Sequence, residues 1–167
     1  MKRFKDKPID SNQPVLIPLS LEELIPKTSF VRNFAKIVDQ LDKFELIEKY
    51  RGGGAPAYDP CIMLNLLLFG QVNGIHNSRK LAELNQYDVR YMWLMQMSRP
   101  DPRTITRFRQ QNKELVDTFF IQMVQLAKKR RLKLPDNSVV NEAKEAVKKM
   151  SEQAKSQAKL ERQNTKK

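Results

Sequence analysis

The stretch Tyr58–Leu84, YDPCIMLNLLLFGQVNGIHNSRKLAEL, decides the fold. Asp59 before Pro60 is a helix start: the carboxylate caps free backbone amides, and the proline ring presets the first helical position. The segment CIMLNLLLFGQ that follows is apolar nearly all round, so this helix belongs at the buried centre of a bundle. Asn73 and Gly74 end it in a turn. A second, short helix begins near Asn77 and Ser78 and carries Leu81, Ala82 and Leu84.

Working outward, helix signals continue on both sides. Ser20 and Glu23 have capping-box spacing and open a short helix that Pro26 ends. From Phe30 to Tyr50 the apolar residues Phe30, Phe34, Ile37, Val38, Leu41, Phe44, Leu46 and Ile47 recur at helical spacing, predicting one amphipathic helix. Gly52, Gly53, Gly54 and Pro56 then break the backbone. Downstream, a helix from Asp88 carries Val89, Met92, Trp93 and Leu94, with Trp93 expected in the core against the helix from Pro60 to Gln71. Asp101 and Pro102 repeat the Asp-Pro start and open the longest predicted helix, 103–131. Its apolar stripe is Ile105, Phe108, Leu115, Phe119, Met123 and Leu126; Arg103, Arg107, Gln110, Gln111 and Glu114 fall opposite. No useful strand alternation occurs before Ser138.

The expected fold is therefore all-α: a helical bundle containing a helix-turn-helix-like unit, with a C-terminal helical tail. Past Pro135 the chain turns rich in Ala, Lys, Glu and Gln, with a thin stripe of Ala143, Val147, Met150, Ala154 and Ala158. Such a segment has helix propensity but little to bury, and is expected outside the core. The organisation reads as a flexible N-terminus (1–15), a helical domain (16–134) and a charged tail, helical or disordered (135–167).

Bulk properties narrow the function classes. The single cysteine, Cys61, excludes an internal disulfide framework. The start, MKRFKDKPID, has no apolar signal region, and the longest apolar run is too short to span a bilayer. A cytoplasmic protein follows as the expectation. The net charge is +12 in 167 residues, and it is unevenly spread. Residues 1–59 hold ten Lys/Arg against nine Asp/Glu, residues 60–131 twelve against five, and residues 132–167 nine against five. A near-neutral first third beside a basic middle points to a localised anionic partner, and nucleic acid is the usual one. A solvated positive face is the plain alternative.

Catalytic and metal sites find little support. His76 is the only histidine, and with one distant cysteine it makes neither a zinc site nor a nucleophile–base pair. The triple glycine lacks the downstream Gly-Lys-Ser/Thr of a phosphate-cradling loop and reads as a hinge. Carboxylates are scattered, so no catalytic residue, metal or cofactor is expected. The basic residues are better organised. Ser78, Arg79 and Lys80 stand at the front of a helix that follows a buried helix and a tight turn, the order a helix-turn-helix needs. Arg103, Thr104, Thr106 and Arg107 cluster at the start of another helix, where hydroxyls, guanidiniums and free amides suit phosphate. Arg109 sits at the edge of the apolar stripe and is open to packing or pairing instead. At each cluster, a capped and solvated surface helix remains the other reading.

The strings LIPLSLEELIP, GGGAPAYDP, NGIHNSRKLAEL, DVRYMWL and RPDPRTITRFR, in this order, resemble the amino-terminal InsH-like domain of insertion-sequence transposases of the DDE class. The resemblance runs from about Leu16 to Leu134. It implies a helical DNA-binding domain that recognises the terminal inverted repeats of its element, with double-stranded DNA as partner and a nucleoid-associated location. It also implies a following ribonuclease-H-like domain whose three acids hold divalent metal. Here the sequence departs from the family pattern. After LPDNSVV, where a strand bearing the first catalytic Asp is expected, come Asn141, Glu142, Ala143 and a charged helix-like tail. The acids after Pro135 (Asp136, Glu142, Glu145, Glu152 and Glu161) lie in no strand pattern, so no catalytic residue carries over. His76 stands where the family commonly has a basic residue, and Pro102 where it has a bulky apolar one. The resulting expectation is a truncated, non-enzymatic DNA-binding module. Its rival is a regulatory or interaction fragment that pairs with itself or with a full-length transposase through the first 50 residues or the tail, a reading favoured by the near-neutral amphipathic helix at Phe30–Tyr50.

Overall fold

A computed structural model describes residues 20–51 and 58–164. Among these the regular structure is all α-helical: α1 (Leu21–Leu24), α2 (Phe30–Val38), α3 (Phe44–Lys49), α4 (Pro60–Val72), α5 (Ser78–Tyr87), α6 (Val89–Leu94), α7 (Pro102–Gln111), α8 (Lys113–Lys129) and α9 (Ser138–Asn164). The triple-glycine hinge and the first 19 residues lie outside the described residues.

The caps form as their chemistry dictates. Ser20 accepts a hydrogen bond from the Glu23 amide, and Asp59 accepts one from the Cys61 amide at 2.7 Å. α4 is the axis of the bundle. Met63, Leu64, Leu66, Leu67, Leu68, Phe69 and Val72 are all buried, and α2, α3, α6, α7, α8 and α9 surround the helix. Phe69 is its aromatic hub: the Phe34 ring lies 5.0 Å away and the Tyr91 ring meets it edge-on at 4.9 Å.

Four sequence expectations change. The Phe30–Tyr50 segment is two helices, α2 and α3, separated by residues 39–43, with Leu41 buried in the connection. The 103–131 segment is also two helices, broken at Asn112. This buried side chain donates from Nδ2 to the Tyr50 hydroxyl (2.6 Å) and to the Phe108 carbonyl (2.8 Å), a polar joint inside the core. The break resets the helical phase. α8 buries Val116, Phe119, Phe120, Met123, Val124 and Ala127, while Leu115 and Leu126 are only partly covered.

Third, Tyr91 rather than Trp93 takes the central place on α6. Trp93 is half-buried at the edge, its Nε1 donating to Glu22 at 2.7 Å and the Arg32 guanidinium 5.6 Å from its ring centre. Burial, with Asp88 nearby, pushes the Tyr91 phenol up to about 12. Fourth, the first turns of α9 do not lie outside the core. Val140, Ala143 and Val147 are buried, α9 packs on α8 and α4, and Asn137 donates to the Val72 carbonyl at 2.7 Å. Small and β-branched residues at i, i+3 and i+7 suffice for this seam because α8 offers a continuous apolar face.

Candidate nucleic-acid interface

The turn after α4 determines where α5 begins. Gly74 adopts φ +71°, and the Ile75 amide donates back to the Gly70 carbonyl at 2.8 Å, a Schellman-type end. Gly70 is required for a different reason: a Cβ there would come within 2.7 Å of Leu81 and 2.9 Å of the Ile75 carbonyl. α5 therefore lies directly against α4 and the turn. Asn77 caps α5, its Oδ1 accepting from the Arg79 and Lys80 amides at 2.9 and 3.2 Å. α7 starts in the same manner, with Asp101 accepting from the Arg103 and Thr104 amides at 2.8 and 3.0 Å. Buried Ile105 and Phe108 hold α7 to the core and leave its other face to water.

α5 and α7 pack together, and between them opens a shallow cleft of about 700 Å³. Its α5 side is His76, Asn77, Ser78 and Arg79; its α7 side is Pro102, Arg103, Thr106, Arg107, Arg109 and Gln110. Arg103, Thr106, Arg107 and Gln110 follow helical spacing, so they share one face. No carboxylate lines the cleft, and none of its four arginines joins an ion pair among the described residues. Arg109 is half-buried, and burial pulls its guanidinium pKa below the ordinary value. Its charge is thus partly desolvated without a neighbouring acid, a state that an incoming anion relieves.

Of the residues singled out from the sequence, Ser78, Arg79, Arg103, Thr106 and Arg107 line this cleft. Lys80 and Thr104 do not. Lys80 pairs with Glu83 at 2.9 Å, and the Thr104 hydroxyl donates to Asp101 at 2.8 Å, completing the cap. The Thr104 amide also helps hold the Asp101 carboxyl below the usual carboxylate range. The Thr106 hydroxyl donates to the Pro102 carbonyl at 2.9 Å. The amides of Arg103 and Thr104 are therefore already engaged, and the arginines are the free donors of this helix end. His76, Asn77, Arg109 and Gln110 join the cleft without having been singled out as site residues. For Gln110 the signal was available, since it falls on the same polar face as Arg103 and Arg107.

Among the described residues no group of three or more His, Cys, Asp or Glu could hold a metal ion. No helix among them is long and apolar enough to cross a membrane. No curated protein and no solved structure gives a significant match. One family does match: a transposase domain (DUF772) over residues 19–111, more than half of the 167-residue chain, ending where α7 ends and so including both walls of the cleft. The chain belongs to this transposase-domain family.

Proposed function

We propose that this transposase-related chain is a DNA-binding module that seats the backbone of duplex DNA in the α5–α7 cleft. The observation that carries the reading is the cleft itself: four arginines, one half-buried, with no carboxylate among its lining residues. In this reading α4, the Gly74 turn and α5 act as a helix-turn-helix-like unit. Arg79, Arg103 and Arg107 position the duplex through phosphates, and the front of α5 reads base edges in the terminal inverted repeats of the element. Lys80 stays with Glu83, and Thr104 serves as a cap. In this reading the chain binds duplex without cutting it, and occupying element ends without cleavage inhibits a parent enzyme.

The test is Arg107→Ala with fluorescent duplexes. Affinity falls by about 1–3 kcal/mol while the thermal midpoint stays put, because the side chain is exposed and unpaired. A phosphate contact produces the same loss on inverted-repeat and random DNA; a base contact confines the loss to the inverted repeat. Parent-like binding to both DNAs would sink the reading. Incubating the chain with inverted-repeat duplex and magnesium or manganese should yield no nicks, and metal-dependent nicking would overturn the non-enzymatic part.

One observation favours a second reading, self-association or pairing with a full-length transposase. α3 exposes Phe44 (66%) and Ile47 (47%), large apolar side chains on a near-neutral part of the chain. Salt separates the two readings: phosphate binding weakens steeply as salt rises, and apolar helix pairing does not.

A further inference from the structure

A second basic region lies away from the cleft. Residues 128–133, KKRRLK, close α8 and lead toward α9, and Lys128, Lys129, Arg130, Arg131 and Lys133 are all exposed. Among the described residues none of these five forms an ion pair. Arg130 meets only the neutral amide of Gln40, at 2.6 Å. Arg131 is in the left-handed region, φ +56°, as the αL residue of the α8 end, where the Leu132 amide donates to the Ala127 carbonyl. A groove of about 560 Å³ between α8 and α9 collects Lys128, Lys133, Lys144 and Lys148, with Asp136 and Glu145 as its acids.

The position of this cluster relative to the cleft is constrained. Asn137, at the start of α9, bonds the Val72 carbonyl, and a Cβ on Gly74 would lie 3.9 Å from it. The α9 start is therefore fastened to the very turn that places Asn77 and α5. Four residue steps separate Lys133 from Asn137, and three separate Gly74 from Asn77. Chain reach then keeps Lys133 within roughly 35 Å of the cleft wall, about one turn of duplex.

We infer that the α8–α9 lysine cluster is a second, sequence-independent contact for the phosphate backbone, engaging duplex that flanks the segment held in the α5–α7 cleft. The inference rests on the DNA-binding reading of the cleft and adds a separate surface to it. Flexible lysines around a groove suit this task, since an ammonium is a point charge that follows a backbone without demanding a register. The two acids lower the local charge without cancelling it.

The experiment compares random-sequence duplexes of about one and three helical turns, titrated with salt. The proteins are the full chain, Arg107→Ala, and a variant carrying Lys128→Gln, Lys133→Gln, Lys144→Gln and Lys148→Gln. Thermal melts confirm folding, and a matched Lys→Arg set at the same four positions preserves charge. The parent should prefer the longer duplex and show the steeper salt slope on it. The glutamine variant should lose about tenfold or more in affinity for the longer duplex and two to four units of slope, with little change on the shorter one. The arginine set should behave as the parent. A glutamine variant with parental slope and affinity on the longer duplex overturns the inference and leaves the cleft reading intact. A parent without length preference also overturns it. If Arg107→Ala binds normally while the glutamine variant fails, the cleft reading falls, and the inference falls with it because no held segment is left for the lysines to flank.

Discussion

Two clefts on this molecule use similar residues for opposite ends. In the first, between α1, α2 and α6, about 820 Å³ is bordered by Glu22, Ile25, Arg32, Asp39 and Trp93. Its Arg32 donates to the Glu22 carboxylate, to the Ile25 carbonyl at 2.8 Å and to the Pro26 carbonyl at 3.2 Å, and it also faces the Trp93 ring. Each guanidinium nitrogen of Arg32 has an internal partner, so this cation ties α1, α2 and α6 together. In the α5–α7 cleft the arginines have no carboxylate partners, and one is partly desolvated. A satisfied arginine is structure, and an unsatisfied one is available to an outside anion.

The strongest way to break that contrast is Arg32→Met. Removing the guanidinium takes their donor from the Glu22, Ile25 and Pro26 carbonyls and leaves the Glu22 carboxylate with the Trp93 indole alone, so the loss in chemical denaturation should be about 2 kcal/mol. DNA affinity of the folded variant should be unchanged. A stable Arg32→Met that binds DNA poorly would merge the two clefts into one interface.

The mirror experiment has a smaller effect on the fold. Arg109→Met removes a charge that burial already disfavours and keeps the aliphatic volume, so stability should stay within about 0.5 kcal/mol of the parent or rise slightly. Affinity for duplex should drop by about 1–2 kcal/mol. A large stability loss instead would show that Arg109 is a structural residue like Arg32.

Acid sharpens the comparison further, with the smallest effect. The Arg32 hydrogen bond, then that of Trp93, holds the Glu22 carboxyl below its ordinary range, and Arg90 does the same for Asp88. A depressed carboxylate contributes stability above its unfolded pKa and loses it as pH falls through the folded value. The melting temperature should therefore hold from neutrality to about pH 5 and decline below about pH 4. Glu22→Gln should remove part of that decline. An unchanged acid limb in Glu22→Gln would mean that the Arg32–Glu22 contact is not a net stabiliser in solution.

What the sequence by itself determined is what closes within one turn of chain. Asp59, Asn77 and Asp101 cap amides two or three residues ahead, and each helix start was legible for that reason. The apolar run of α4 likewise specified a central helix without reference to its neighbours. The pairing of Arg103 with Arg107 on one face needed only helical spacing. Tertiary structure alone decided the rest. The break at Asn112 depends on Tyr50, 62 positions away, and the Trp93 edge site depends on Glu22, 71 positions away. Asn137 fastens α9 through a carbonyl 65 positions earlier, so composition alone placed that helix outside the core. Arg109 entered the cleft, and Lys80 and Thr104 left it, because charge pattern records which side chains are basic or polar but not which have already found a partner.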